Sequence, residues 1–190
     1  SLEGCCTNLQ VNGKAEYYPD GAVILKPDTE IDRLFVARAG STLYYCSGNL
    51  FLLDTKIDVE KLLAKGLRFA AKKIVIAESL EEQLYSQFEE SAEIIRVPDG
   101  TRHIRGNVEL LPRTLRKYGT KLCVSGDVSI HDAEALSALE YLFADGTVSV
   151  SKDLEDAFYE IESVYDKLNV KEINVIQDST SGLSCTWNFS

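Results

Sequence analysis

Methionine is missing from all 190 residues, where ordinary usage would place about four. The expectation drawn from that absence, residue 1 included, is a processed fragment. Histidine is scarce: only His103 and His131 are present. The five cysteines, Cys5, Cys6, Cys46, Cys123 and Cys185, form no framework of spacings. A structural metal site of the usual kind needs four Cys/His ligands at short intervals, so no metal is expected, and the adjacent Cys5-Cys6 pair does not supply one alone. Cys46 and Cys123 stand at strand positions and read as ordinary buried thiols. Reduced thiols point to the cytoplasm. No apolar run approaches the roughly 20 residues of a membrane span, and no secretory leader pattern is visible. Bases are outnumbered, 20 Lys and Arg against 30 Asp and Glu, for a net charge of −10. That balance disfavours nucleic acid and anionic membrane as partners. No Walker loop or dinucleotide fingerprint occurs. Cys123 or Ser125 with His131 would supply a nucleophile and a base, but no elbow or oxyanion device accompanies them. No catalytic residue and no cofactor are therefore assigned.

What the chain does have is a period. Arg102-His103-Ile104-Arg105-Gly106-Asn107-Val108-Glu109-Leu110, Leu122-Cys123-Val124-Ser125-Gly126-Asp127-Val128-Ser129-Ile130 and Leu142-Phe143-Ala144-Asp145-Gly146-Thr147-Val148-Ser149-Val150 follow one another at 20-residue intervals. Their pattern is apolar-x-apolar-x-Gly-x-Val-x-apolar, broken only by Arg102. Looser copies surround Gly13 (Leu9 to Tyr17) and Gly48 (Tyr44 to Leu52), and a degenerate copy without glycine runs from Leu168 to Ile176. Alternation at period 2 places the apolar positions on one face of a strand. The glycines Gly13, Gly48, Gly106, Gly126 and Gly146 share that parity and are expected to be structural. A side chain there would crowd a neighbouring backbone or stop a bend between two short strands. A phosphate cradle would need the glycines clustered before a helix.

Between the strands the spacing predicts helices. Leu154, Phe158, Ile161, Tyr165 and Leu168 form one apolar stripe after Asp153. Leu136, Leu139, Leu142 and Phe143 form another after Asp132. Ser79-x-x-Glu82 reads as a capping box for a helix over 80–90. Shorter helices are expected over 58–65, stopped by Gly66, and over 112–118, between Pro112 and Gly119. The first fifty residues show no helical stripe and read as strands. The tail, with Leu183, Cys185, Trp187 and Phe189 alternating, reads as a capping strand.

The fold expected is therefore α/β: a repeat solenoid of strand–turn–helix units of about 20 residues with an all-β N-terminal section. The expected divisions are 1–56 for that section, 57–178 for the strand–helix repeats and 179–190 for the cap, within one continuous domain. The Leu-x-Val and Val-x-Ile rows of 122–130 and 142–150 resemble the leucine-rich repeat proteins, with Gly in mid-motif and no Asn at the ladder position after the strand. The Val-x-Gly-Asp-Val-x-Ile phrase is also similar to uncharacterised bacterial repeat proteins and, more distantly, to bactofilin-type β-solenoids that polymerise. The resemblance implies stacked units and transfers no catalytic residue.

Charge is clustered. Residues 78–93 carry six glutamates and no base, and 102–121 carry Arg102, Arg105, Arg113, Arg116, Lys117 and Lys121 against Glu109. The expected activity is protein binding or scaffolding without enzymatic chemistry, with Arg105, Arg113, Arg116 and Lys117 as contact residues for a protein or peptide partner. Self-association of open solenoid ends is the alternative. A hydrolase or lyase acting on a polymer is the third, since carboxylates abound, although most lie on helices.

Overall fold

The computed structural model describes residues 6–11 and 14–172. Gly13 itself, the end of the degenerate copy beyond residue 172 and the capping strand over 179–190 lie outside them, while the rest of the copy expected from Leu9 to Tyr17 falls in two antiparallel strands. The chain is a mixed α/β protein built on parallel sheets, and among the described residues no sheet closes into a barrel. It falls into two compact units, Ser1–Arg105 and Gly106–Ser190.

In the first unit, β1 (Cys6–Val11) and β2 (Lys14–Pro19) form an antiparallel hairpin. There follow β3 (Val23–Leu25), β4 (Thr29–Glu30), α1 (Arg33–Arg38), β5 (Leu43–Leu52), α2 (Val59–Ala64), β6 (Arg68–Ala77), α3 (Glu78–Leu84), β7 (Glu93–Val97) and β8 (Arg102–Arg105). The central sheet runs β3-β5-β6-β7 with every pair parallel, and β4 also lies along β5. Register stacks like on like: Leu50 opposite Ile74, Leu52 opposite Ile76, Tyr44 opposite Phe69. These residues are buried and make the core with Ile31, Val36, Leu62, Leu67, Leu80 and Leu84. Tyr44 and Phe69 stack at 5.7 Å, and Phe35 meets Tyr44 edge-on at 5.1 Å, a geometry that adds to simple area burial.

The helices here are too short to be stable alone and are held by their ends. Asp32 Oδ1 accepts from the Phe35 amide at 2.8 Å and starts α1. Lys65 Nζ reaches back to the carbonyls of Val36, Ala37 and Ala39 at 2.8–3.1 Å and closes its far end. Asp58 caps α2, which stops before Gly66 as expected. The all-β expectation for residues 1–56 is thus corrected by α1. Six residues span under two turns, too little for a stripe to show. The Ser79 capping box is corrected as well: α3 begins at Glu78, and the Ser79 amide donates to Asp99 Oδ1, 20 residues on, at 3.1 Å.

The second unit holds β9 (Val108–Leu110), α4 (Pro112–Tyr118), β10 (Lys121–Ser125), β11 (Val128–Ile130), α5 (Ala133–Ala138), β12 (Tyr141–Ala144), β13 (Thr147–Ser151), α6 (Glu155–Tyr159), β14 (Glu162–Val164) and β15 (Lys167–Lys171). The sequence interval becomes strand register. Val108, Val128, Val148 and Leu168 stand side by side along β9-β11-β13-β15, and Leu122 stands beside Leu142 in β10-β12-β14. All these pairs are parallel. In β10 and β12 both faces are covered: Leu122, Cys123 and Val124 are fully buried, and Tyr141 to Ala144 nearly so. α4 begins at Pro112 and ends before Gly119, and Asp132 caps α5 through the Ala135 amide, but α5 stops at Ala138, and Leu142 and Phe143 of the expected stripe lie in β12 instead. The long helix expected over 154–168 is corrected. After a short 3-10 turn, α6 ends at Tyr159, and Glu162–Val164 pairs instead with Tyr141–Phe143. Of that stripe, Leu154 lies in the 3-10 turn, Phe158 in α6 and Leu168 in β15, while Ile161 and Tyr165 fall outside helix and strand.

Each motif glycine of this unit sits at a corner between two strands. A Cβ on Gly126 would lie 2.6 Å from the Gly106 carbonyl oxygen and 2.8 Å from Asn107 Oδ1. On Gly146 it would lie 2.7 Å from the Gly126 carbonyl oxygen and 2.5 Å from Asp127 Oδ1. Gly126→Ala and Gly146→Ala should each cost about 3 kcal/mol through backbone displacement. Gly40→Ala, with open space around it and no positive φ, should stay within about 0.5 kcal/mol of wild type. Urea midpoints of the three variants check this. Equal effects at all three positions would refute the close-approach account.

Candidate functional site

A corner leaves amides that the sheet ladder does not reach, and the residues after Gly106 and Gly126 supply acceptors. Asn107 Oδ1 accepts from the Asp127 amide at 2.9 Å, and Asp127 Oδ1 accepts from the Thr147 amide at 2.9 Å. This is a side-chain-to-backbone ladder at 20-residue steps. It gives the solvent-facing residues beside the glycines a structural duty. Beyond the corner, Thr147, Ser149 and Ser151 alternate with the buried Val148 and Val150. Register aligns Glu109, Ser129, Ser149 and Asn169 in one polar row across β9-β11-β13-β15.

Of the expected contact residues, Arg113, Arg116 and Lys117 lie on α4 at spacing i, i+3, i+4, which places them on one helix face. All three are exposed, while Leu115 on the opposite side is buried. Arg113 and Arg116 have no hydrogen bond or ion pair among the described residues, and Lys117 Nζ stands 5.2 Å from the Tyr118 ring centre. Arg105 is different. It belongs to the first unit, and its guanidinium donates to the Asp28 carbonyl at 2.6 Å. Its role there is to hold a loop. The glycines are placed as follows: Gly106 takes a φ of +85°, Gly126 and Gly146 are the close-approach corners, and a Cβ on Gly48 would lie 2.9 Å from Pro27 Cβ at the bulge of β5.

The histidines are both occupied. His103, expected at an outward strand position, has a side chain only 2% exposed. It stacks on Phe51 with ring centres 4.1 Å apart. Its Nδ1 lies 2.9 Å from Glu30 Oε1. An ionised carboxylate only accepts, so Nδ1–H donates and holds the Glu30 carboxyl below its ordinary range. His131 Nε2 pairs with Glu109 on the surface. Cys123 is fully buried, and burial pushes the neighbouring Tyr141 phenol well above its ordinary pKa. Among the described residues no three His, Cys, Asp or Glu side chains gather to hold a metal ion, and no helix is long and apolar enough to cross a membrane.

Two surface features escaped the sequence reading in part. A groove of about 520 Å³ is bounded by Glu78, Glu81, Glu82, Tyr85 and Arg96. Its acids were visible as a charge run, but Tyr85 does not share the buried side of Leu80 and Leu84 and instead joins the acids at i, i+3, i+4, i+7 on the outer face of α3 and its 3-10 extension. A second hollow, of about 360 Å³, is bounded by Glu30, Asp32, Leu34, Phe35 and Arg38, with Tyr44. It depends on α1, which alternation did not reveal. Comparison of the chain with protein-family models, with curated proteins and with solved structures finds no match.

Asp127→Ala should cost about 1–2 kcal/mol by leaving the Thr147 amide without its acceptor, and Asp127→Asn, which keeps Oδ1, should cost much less. Chemical denaturation of the pair checks this, and equal losses would mean the ladder bond is not the cause. Glu30 offers a pH test. Its folded pKa is depressed, so its contribution is complete above the unfolded value of roughly 4.3 and is lost as pH falls through the folded value. Glu30→Gln should destabilise the protein by about 1 kcal/mol or less at pH 7, because the carboxylate is half exposed and screened. The difference from wild type should close in acid. Thermal melts from pH 7 to pH 3 measure it, and a gap that widens in acid would contradict the pairing.

Proposed function

We propose that the chain is a repeat solenoid of strand–corner–helix units, distantly like leucine-rich repeat proteins in organisation, that serves as a protein-binding scaffold without chemistry of its own. The contact face is α4. The observation that carries this reading is the cluster of three exposed bases, Arg113, Arg116 and Lys117, on one helix face of a chain whose net charge is −10, with the two arginines unpaired among the described residues. A solvated helix face needs no such segregation of sign. Some bases elsewhere are held by acids: Arg33 lies 2.8 Å from Asp54, Arg96 2.8 Å from Glu81 and Lys152 3.0 Å from Glu155. Arginine presents a planar fork suited to carboxylates, so the partner is an acidic protein or peptide segment.

Binding of a fluorescent glutamate-rich helical peptide tests this. Arg113→Glu/Arg116→Glu should weaken it by about tenfold or more and flatten its dependence on salt. Unchanged affinity in that variant would sink the assignment of α4.

A further inference from the structure

The basic face of α4 has a counterpart on the same chain. α3 and the turn that follows it carry Glu78, Glu81, Glu82 and Tyr85 at spacing i, i+3, i+4, i+7. Together with Arg96 these residues bound the groove of about 520 Å³. Glu81 is tied to Arg96 at 2.8 Å. Glu78 and Glu82 are exposed and have no hydrogen bond or ion pair among the described residues. Tyr85 is 63% exposed, one of the most exposed large side chains described. Two free carboxylates beside an open aromatic ring make a surface that accepts a guanidinium. The carboxylates take its N–H groups in pairs, and the ring face takes its flat side. α4 offers two guanidinium groups at i and i+3 without a partner among the described residues, about one helical turn apart like Glu78 and Glu82 at i and i+4.

We infer that copies of this chain associate head to tail, the α4 face of one copy (Arg113, Arg116, Lys117) seating on the α3 groove of the next (Glu78, Glu82, Tyr85). The inference rests on the reading of α4 as a contact face and names its partner as a second copy. The two surfaces differ, so the contact is heterologous. It does not saturate at a dimer unless the rotation closes a ring. Because the contact is made between few, exposed charges, it is weak and salt-sensitive.

The test is sedimentation of the whole chain over a range of concentrations at low and high salt. Three samples are compared: wild type, Arg113→Glu/Arg116→Glu, and Glu78→Arg/Glu82→Arg. Wild type should gain mass with concentration at low salt and return to monomer at high salt. Each variant alone should associate about tenfold more weakly. An equimolar mixture of the two variants should regain association, with the two alternating, because the reversed α4 of one matches the reversed α3 of the other and their unaltered faces match as well. That restoration also shows that both variants are folded. Wild type that stays monomeric throughout would overturn the inference, as would association that neither variant weakens. The glutamate-rich peptide, run on the same samples, separates the two readings. A monomer that still binds it through Arg113 and Arg116 loses the self-association and keeps α4 as a contact face for another protein.

Discussion

The constraint on which the second unit depends is how closely its corners approach. Parallel strands in a sheet lie about 4.8 Å apart, and here the spacing must hold while the chain turns from β10 to β11 and from β12 to β13. At Gly126 and Gly146 the backbone of one corner lies against the carbonyl of the one before, leaving no volume for even a methyl group. The turn also takes amides out of the strand ladder, and a buried or half-buried amide without an acceptor is costly. Asn107 and Asp127 remove that cost by reaching one corner onward. The Gly-Asn, Gly-Asp and Gly-Thr pairs are therefore single devices. The first residue permits the approach, and the second, where it carries an acceptor, satisfies what the approach exposes.

Given corners of this kind, the strands can be very short and still be covered. β9 and β11 have three residues each, yet Leu110, Val128 and Ile130 are nearly or fully buried. The helices between strands are also short, and none carries enough intrahelical bonds to stand alone. Their stability comes from ends and packing: carboxylate caps at Asp32, Asp58 and Asp132, and single apolar anchors such as Val36, Leu62 and Leu115. A helix held by one buried anchor and a cap leaves most of its surface free of structural duty. α3, with Leu80 and Leu84 buried and no side-chain cap, and α4, with Leu115 alone buried, also leave their outer faces free, so sign can be segregated on both at little cost to folding.

Where the repeat pattern was strong, the sequence was a good guide. The 20-residue interval is the strand offset along β9-β11-β13-β15, and the glycines mark the corners. Pro112 and Gly119 bound α4, and Asp132 starts α5. The failures share a physical origin, since periodicity reports only what one element does over several turns. α1 is too short to register, and the stripe from Leu154 to Leu168 crossed from a helix into two strands. Ser79 had the right spacing to cap its own helix, but Asp99 serves its amide instead. Long-range partners are invisible to local pattern, so His103 read as outward although Phe51 and Glu30 enclose it. Arg105 donates to the Asp28 carbonyl, a partner far away in sequence that no local pattern shows. Arg113, Arg116 and Lys117 were legible because exposure and spacing on a helix are local properties.

Net charge argues poorly against a basic contact face. At physiological ionic strength the Debye length is about 8 Å, so most of the thirty acids are screened from any given point on the surface. One helical turn rises 5.4 Å. Residues at i, i+3 and i+4 therefore present their charges within about one screening length and act together. Charges spread more widely than that over the surface subtract less from the local field. A chain with ten excess negative charges can thus repel acidic proteins at long range and still hold an acidic segment at contact. The first effect slows encounter without a matching geometry, and the second rewards the segment whose carboxylates fit the spacing of α4. Selectivity of this kind follows from placing few bases close together on a rigid element in an otherwise acidic chain.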